Sequence, residues 1–411
     1  MGLQDSKGAQ RCDELRLTGS GGANRVMEAE FKRLVMRSPF DVRVDKPKRE
    51  GESTLLYPFD ARMAWVAGCY HRTSSRISWD LWSSGAVRLE PLFADLLPAL
   101  STDDRLPTGN NVRFSVEVGP CSDFEASPLQ LRGVVKNAIA ESLVSRGVEA
   151  VLDPESPDVE VVVRRVGNPE ARRTVVGFDI GGGARHRRGA RVAMGAAPLR
   201  ETMASQLIML SRWDVRTEPL VDPMAGGGTI PIEAAGLAVG AAIRHPSELL
   251  LSHLAAFKGL PGEVPDLFPG SIPRILALDS DAGRIPAMVG NLRAAGLTGP
   301  SHEDSIVIAQ QDVRTLTPDY VNRMLPAARN MQPGVFCFNP PYGVRIGAEE
   351  GEEKLLALYT AMGRAFARFK GWRAACFVAN PRFVEAFGHP PTMTKPATNA
   401  ELRGAFLTYQ F

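Results

Sequence analysis

Gly334-Val335-Phe336-Cys337-Phe338-Asn339-Pro340-Pro341-Tyr342-Gly343 carries more information than any other stretch of this chain. Its apolar first half reads as a short buried strand, Gly334 to Phe338. The strand must stop at Asn339, because the two prolines that follow neither donate to a sheet ladder nor extend it. The chain therefore leaves a sheet edge in a stiff loop that offers an amide side chain, free backbone carbonyls and a ring. Those parts suit a flat heterocycle with an exocyclic amine. The Asn339 side-chain oxygen and the Pro340 carbonyl can both accept from one NH2 group, and Tyr342 can stack on the ring face. Taken alone, the same residues also fit a plain strand with a Pro-Pro turn.

The stretch closes a series of alternating strands and helices that starts near Leu199, the pattern of a parallel sheet covered on both faces. Ala204 to Trp213 reads as a helix and Pro219 to Asp222 as a strand. Asp222-Pro223-Met224-Ala225-Gly226-Gly227-Gly228-Thr229 is a glycine loop that opens a helix from Ile230 to Val239. Glycines let a ligand approach the backbone near the positive end of that helix. Further strands end at Asp279 and lead to Asp312. Asp279 can bind a ribose diol and Asp312 can accept from an adenine amine. Alone, each aspartate is equally a helix cap or an exposed strand end; at the ends of successive strands they favour a nucleoside cofactor. The glycine loop would serve a nicotinamide dinucleotide as readily as S-adenosylmethionine. The Asn339 loop separates the two, since hydride transfer has no need of an amine-accepting amide after the fourth strand. Residues 240 to 272 are long and Pro-rich, with a possible helix from Ser247 to Phe257, and read as an insertion.

The front half is a different mixture. Met1 to Ala23 is polar and Gly/Ser-rich and reads as poorly ordered or a weak edge strand. A small α+β unit follows, closing near residue 84, then a second with a strand at Asn111 to Val118, a helix at Pro128 to Arg146 and strands at Val159 to Arg165 and Thr174 to Ile180. Arg185-His186-Arg187-Arg188, with Arg191 and the nearby Arg164, Arg165, Arg172 and Arg173, forms a basic junction. It could be a phosphate footprint or a solvated linker.

Composition narrows the class. The chain has 411 residues, 44% hydrophobic and 23% charged, with a net charge of +2. That is a globular profile, too mildly charged to imply a nucleic-acid partner by itself. The five cysteines show no metal-ligand or CxxC spacing and read as buried thiols of a reducing compartment. No apolar run has membrane length and Met1 to Arg16 is too polar for a signal peptide, so a cytoplasmic protein with no membrane partner is expected.

These motifs together resemble a known family. The last 225 or so residues look like class I S-adenosylmethionine-dependent methyltransferases, and the whole chain resembles the bacterial 23S rRNA (guanine-N2)-methyltransferases with an N-terminal THUMP domain. Arg185-His186-Arg187-Arg188-Gly189 is similar to the junction after that domain, and Asp222 to Ala235 to motif I. Asp279-Ser280-Asp281 with Asn291 and Ala295-Gly296 is similar to the ribose-binding strand and its helix. Asn339 to Gly343, Gly371-Trp372-Arg373-Ala374 and Asn380-Pro381 are similar to the catalytic half. Ala225, Gly227 and Ala190 depart from the usual Cys, Ser and Tyr, and no second methyltransferase half follows.

The resemblance implies an α/β chain with a ferredoxin-like domain over residues 1–84, a THUMP domain over 85–184 and a Rossmann-like, seven-stranded methyltransferase domain over 185–411. It implies S-adenosylmethionine as cofactor, held by Asp222, Met224, Ala225, Gly226, Gly228, Thr229, Asp279, Ser280, Asp312 and Asn339. Asn339, Pro340 and Tyr342 are the implied catalytic residues. The implied partner is RNA, either 23S rRNA or the assembling large subunit, with tRNA as the nearest alternative and a non-catalytic RNA-binding assembly factor as another.

Overall fold

A computed structural model describes residues 8–168, 171–188, 199–249, 251, 253–297, 305–328, 333–342 and 349–411. The described chain forms two compact units. The first contains residues 1–18, 28–185 and 242–265, and the second contains 19–27, 186–241 and 266–411. Gly189, Ala190, Arg191 and Gly343 lie outside the described residues.

In chain order the elements begin with β1 (Gln10–Thr18), α1 (Asn24–Arg37), β2 (Lys48–Glu50), β3 (Thr54–Pro58), α2 (Ala61–Tyr70) and β4 (Arg76–Ser84). They continue with α3 (Leu89–Ser101), β5 (Asn111–Val118), α4 (Pro128–Ser145), β6 (Glu149–Leu152), β7 (Val159–Val166) and β8 (Arg173–Asp179). These eight strands form one sheet in the order β2-β3-β1-β4-β8-β7-β5-β6. The pairing of β4 with β8 carries that sheet across residue 84 without a break. Asp60 caps α2 by accepting from the Arg62 and Met63 amides, and Ser127 with Gln130 forms a capping box on α4.

The first strand corrects the reading of Met1 to Ala23 as poorly ordered or marginal. β1 is nine residues long and lies inside the sheet, paired with both β3 and β4. Its charges hide it. Leu15 and Leu17 are buried on one face, and between them Arg16 is also buried, donating to Asp80 at 2.6 Å and to Glu50 at 3.0 Å. Arg164 reaches the other Asp80 oxygen at 3.0 Å. A buried arginine breaks the apolar alternation without breaking the strand, because its partners come from neighbouring strands.

A second correction concerns residues 240 to 272. The possible helix from Ser247 to Phe257 is two short 3-10 turns, Pro246–Glu248 and Ala255–Phe257. Their segment belongs to the first unit. Leu249, Leu254 and Phe257 are buried, and Phe257 sits edge-on to Phe59 and Trp79. The indole of Trp65 donates to the Pro261 carbonyl at 3.1 Å and the Tyr70 hydroxyl to the Pro265 carbonyl at 2.8 Å. Docked side chains, not an i, i+4 ladder, hold this segment, so helical periodicity was not a guide to it.

Arg185 ends the long central segment of the first unit and is 0% exposed. Its guanidinium donates to the carbonyls of Ala67 (3.1 Å), Gly68 (2.9 Å), His71 (2.7 Å) and Gly181 (2.9 Å). It ties the last turn of α2 to the segment after β8, adding a second donor to the Ala67 carbonyl, which the His71 amide already reaches at 3.1 Å.

The second unit runs α5 (Glu201–Ser211), β9 (Leu220–Asp222), α6 (Thr229–Val239), β10 (Ile275–Asp279), α7 (Arg284–Ala294), β11 (Ile306–Gln310) and α8 (Pro318–Met324). It ends with β12 (Val335–Phe338), α9 (Glu349–Phe366), β13 (Arg373–Val378), α10 (Phe383–Phe387), β14 (Met393–Asn399) and β15 (Leu402–Gln410). Its seven strands are ordered β11-β10-β9-β12-β13-β15-β14. The first five are parallel, and β15 runs antiparallel to both of its neighbours, β13 and β14. The seven-stranded α/β sheet expected for the methyltransferase half is therefore present. Phe336 and Phe338 face one core layer, Val335 and Cys337 the other, which explains why β12 is apolar at every position. Among the described residues no helix is long and apolar enough to cross a membrane.

Two outcomes follow for the first unit. Arg185→Leu removes the guanidinium from four buried carbonyls, of which Ala67 keeps the His71 amide as a donor, and should lower stability by about 3 kcal/mol or more, read as a shift of the urea midpoint by tryptophan fluorescence; a stable variant would contradict the clamp. Glu160 shares Arg76 with Glu117 and Asp179, at 3.5, 2.5 and 3.4 Å. Burial, reinforced by Asp179, pushes its carboxyl from 4.5 up to about 7. Folding thus tightens its hold on a proton, so its contribution to stability falls as pH rises from about 4.5 to about 7. Glu160→Gln should flatten the decline in unfolding midpoint between those two pH values.

Candidate active site

The carboxyl ends of β9, β10, β11 and β12 bring most of the expected residues to one edge of the second sheet. β9 lies between β10 and β12, with Ala277 opposite Asp222 and Phe336 opposite Val221. Continuing the second register puts Cys337 beside Asp222 and Asn339 level with the start of the glycine loop. Neighbouring strands are about 4.8 Å apart, so the two loops emerge side by side.

The glycine loop is held on both flanks. The Ala225 amide donates to the Leu278 carbonyl at 2.7 Å, and the Gly226 amide to the Asp279 carboxylate at 2.9 Å. The Asn291 side chain, from α7, donates to the Gly227 carbonyl at 2.8 Å. Gly226 and Gly228 have φ of +54° and +83°, the left-handed region where a side chain is strained. A Cβ on Gly228 would come within 3.0 Å of the Met288 Cγ, whereas one on Gly226 would meet nothing within 4 Å. Gly226 therefore presents bare backbone to open space. Thr229 starts α6 immediately behind it, with Gly228 as the cap residue. Ala225 packs with Ala277, Met288 and Leu292 under the loop, and Met224 is partly buried against the opposite core layer.

The three carboxylates differ. Asp222 is 1% exposed and its Oδ1 accepts from the Met224 amide at 3.1 Å. Burial, then the nearby Asp279, holds its carboxyl well above the usual range against that one hydrogen bond. Asp279 is partly exposed at the end of β10 and accepts from the amides of Gly226 and of Asp281, the latter at 3.0 Å. Each oxygen keeps a second lone pair for a ligand hydroxyl. The Ser280 carbonyl is engaged by Gln310 at 3.2 Å. Asp312 caps a short 3-10 turn and pairs with Arg314, which holds its carboxyl below the usual range. Any ligand amine at Asp312 has to share the carboxylate with that guanidinium.

After β12, Asn339 is partly exposed and Pro340 buried. The Tyr342 hydroxyl donates to the Asn339 Oδ1, and the Tyr359 hydroxyl, from α9, donates to the Pro341 carbonyl. The Tyr342 ring lies edge-on to Phe377, 6.0 Å between centroids at 85°. Tyr342 thus orients the amide, a role not anticipated from the sequence, where it was read as a stacking surface. Tyr359 as an anchor was also missed; nothing in its helical surroundings marks it. Asn291 was seen only through the family motif.

The basic junction is largely spent inside the protein. Arg185 is the buried clamp already described. Arg188 pairs with Glu233 of α6, both almost fully buried, and Glu233 also accepts from Ser205 at 2.7 Å. Arg164 is bound to Asp80, and Arg165 and Arg172 both reach Asp123, at 2.9 and 3.2 Å. Five of the nine basic residues grouped there thus have partners within the protein, Arg187 is exposed, and Arg191 lies outside the described residues.

The family profile described as UPF0020, RMKL-like, methyltransferase domain matches residues 188–406. The ribosomal RNA large subunit methyltransferase K/L of Vibrio campbellii is 33% identical over 267 residues, 61% of this chain and 34% of that protein. This chain therefore spans about a third of the length of such relatives. YpsC of Bacillus subtilis, an RNA methyltransferase by name, is 26% identical over 93% of both chains. Among solved structures, SMU.472 in complex with SAH superposes with a TM-score of 0.72 at 22% identity over 98% of each chain, which shows a shared fold.

The cradle fits a nucleoside cofactor, and Gly226 tests it. Gly226→Ala should cost the fold only about 1 kcal/mol for the left-handed backbone, because its Cβ enters open space. It should weaken S-adenosylhomocysteine binding about tenfold or more in a calorimetric titration. Unchanged affinity would place the cofactor elsewhere.

Proposed function

This chain belongs to the UPF0020, RMKL-like methyltransferase domain family, and from that premise we propose that it transfers a methyl group from S-adenosylmethionine to the exocyclic N2 amine of a guanine in RNA, with 23S rRNA as the substrate. The observation that carries the reading is the placement of Asn339 and the Asp222 to Thr229 loop on paired strands, β12 and β9. The name of the K/L relatives supports ribosomal RNA. The chain's shorter span leaves the particular nucleotide to experiment. The division of the front half into ferredoxin-like and THUMP parts, and its role in holding RNA, belong to the same proposal.

The residues would act as follows. Bare backbone at Gly226 and the Asp279 carboxylate would hold the nucleoside end of the cofactor, with Met224, Ala225, Gly228, Thr229, Ser280 and Asp312 around it. The buried Asp222 carboxylate would become fully ionised against the cofactor's positive charge. The cofactor supplies an electrophilic methyl on a sulfonium centre. A ring amine is a poor nucleophile, since its lone pair is delocalised into the heterocycle. The second lone pair of the Asn339 Oδ1 and the Pro340 carbonyl would accept its two N–H groups, turning the nitrogen lone pair toward the methyl carbon. Tyr342 would keep the amide aimed throughout. Displacement is in line, so orientation supplies most of the rate. The methylated nitrogen is acidic and loses its extra proton to water. A base stacked in a helix cannot reach such a pocket, so the target must be unpaired or flipped out.

The test uses labelled cofactor with total RNA, followed by nucleoside analysis. Label in N2-methylguanosine is expected; label confined to a methylated adenosine would overturn the assignment. Asn339→Ala should reduce transfer about a hundredfold or more while S-adenosylhomocysteine binding stays within about twofold. Equal transfer by the variant would remove Asn339 from the mechanism.

A further inference from the structure

Arg164, Arg165, Arg172, Arg185 and Arg188 of the junction have partners within the protein, and another segment carries a larger set of exposed cations. Residues 32–49 hold seven cations and two carboxylates. The whole chain is net +2, so everything outside this segment is net negative. The segment covers the last half of α1, the following loop and β2. Lys32, Arg37, Arg43, Lys46, Lys48 and Arg49 are all exposed. Arg49 reaches Glu28 at 2.7 Å, which ties β2 to α1, while Lys48, one residue earlier on the strand, points to the other face of the sheet. The two carboxylates offset little: Asp45 pairs with Arg43 at 3.4 Å, and Asp41 is exposed. Of the flanking acids, Glu52 is exposed and two others are turned inward. Glu30 is fully buried and accepts from the Arg72 and Thr73 amides, and Glu50 pairs with Arg16. Met36, in the midst of the helix cations, is 71% exposed.

A charged edge strand explains Lys48, since β2 is the terminal strand and lysine there deters pairing with another sheet. It does not explain Lys32, Arg37 and Lys46 of α1 and the loop, which crowd like charges with no ion-pair partner among the described residues. Such crowding costs stability unless a polyanion relieves it.

We propose that the α1–β2 surface is the docking site for the phosphodiester backbone of a folded RNA stem. The identity of the partner rests on the RNA reading above; the charge asymmetry does not. Contacts of this kind release counterions, so binding weakens steeply with salt. Met36 supplies an apolar contact for a ribose face among the phosphate contacts.

The test compares the full-length protein with two charge-reversed forms, K32E/R37E/K46E and a control, K354E/R364E, reversed on α9. The probe is a labelled RNA hairpin, titrated at several salt concentrations. The first variant should bind about tenfold or more weakly, and its salt slope should fall by about one for each cation lost. The control should stay close to wild type. S-adenosylhomocysteine affinity and the unfolding midpoint should be unchanged in both, because the altered side chains are exposed. Equal hairpin affinity and slope for all three proteins would overturn the proposal and leave the face to an acidic protein or to solvent. A wild type that binds the hairpin through this face yet methylates no RNA would refute the functional reading and leave the surface standing.

Discussion

Three residues, Leu220 to Asp222, hold the second unit's chemistry together. β9 is completely buried and hydrogen-bonded on both sides, to β10 and to β12. Its shortness matters. The backbone turns into the glycine loop as soon as Asp222 is passed, while β12 turns away at Asn339 on the adjacent track. If β9 slipped by one residue, Val221 would meet the loop and Asp222 would be carried to the opposite face. The fixed register is what turns two separate sequence motifs into one site. The rest of the unit supports that register: Phe336 stacks on Phe366 at 4.2 Å, and Val335 and Cys337 pack beneath α5.

Much of this was legible in the sequence because parallel strands buried on both faces leave continuous apolar runs, and because Gly and Pro mark their ends. The β9, β10 and β12 strands and the helix α6 were read to within a residue or two for that reason. What resisted reading was structure made by charges. β1 contains a buried arginine, so its pattern looked like that of a polar tail. The junction arginines looked like a single electrostatic feature, yet Arg185 and Arg188 serve separate buried partners that no local spacing reveals. The α1–β2 surface escaped notice for the reverse reason, since its cations are spread over helix, loop and strand and form no run.

Arginine is the recurrent device. Arg16 and Arg164 clasp one buried aspartate, Arg185 gathers carbonyls at a helix end, and Arg373 grips Glu218 through two hydrogen bonds of 2.9 and 2.8 Å. A guanidinium presents several donors in fixed directions, so one side chain can satisfy groups from several elements at once. Lysine could replace none of these without leaving acceptors bare. A protein so rich in buried arginines cannot be judged for RNA contact by counting positive charges along the chain.

The segment 242–265 has a consequence for how the protein is made. It is encoded between α6 and β10, yet it completes the first unit by covering Phe59, Trp65 and Trp79. The amino-terminal unit therefore cannot close when its own last strand leaves the ribosome. It has to wait, with an aromatic surface uncovered, until well over half of the chain has been translated, and a cut placed after Arg185 would separate two fragments of which neither is whole.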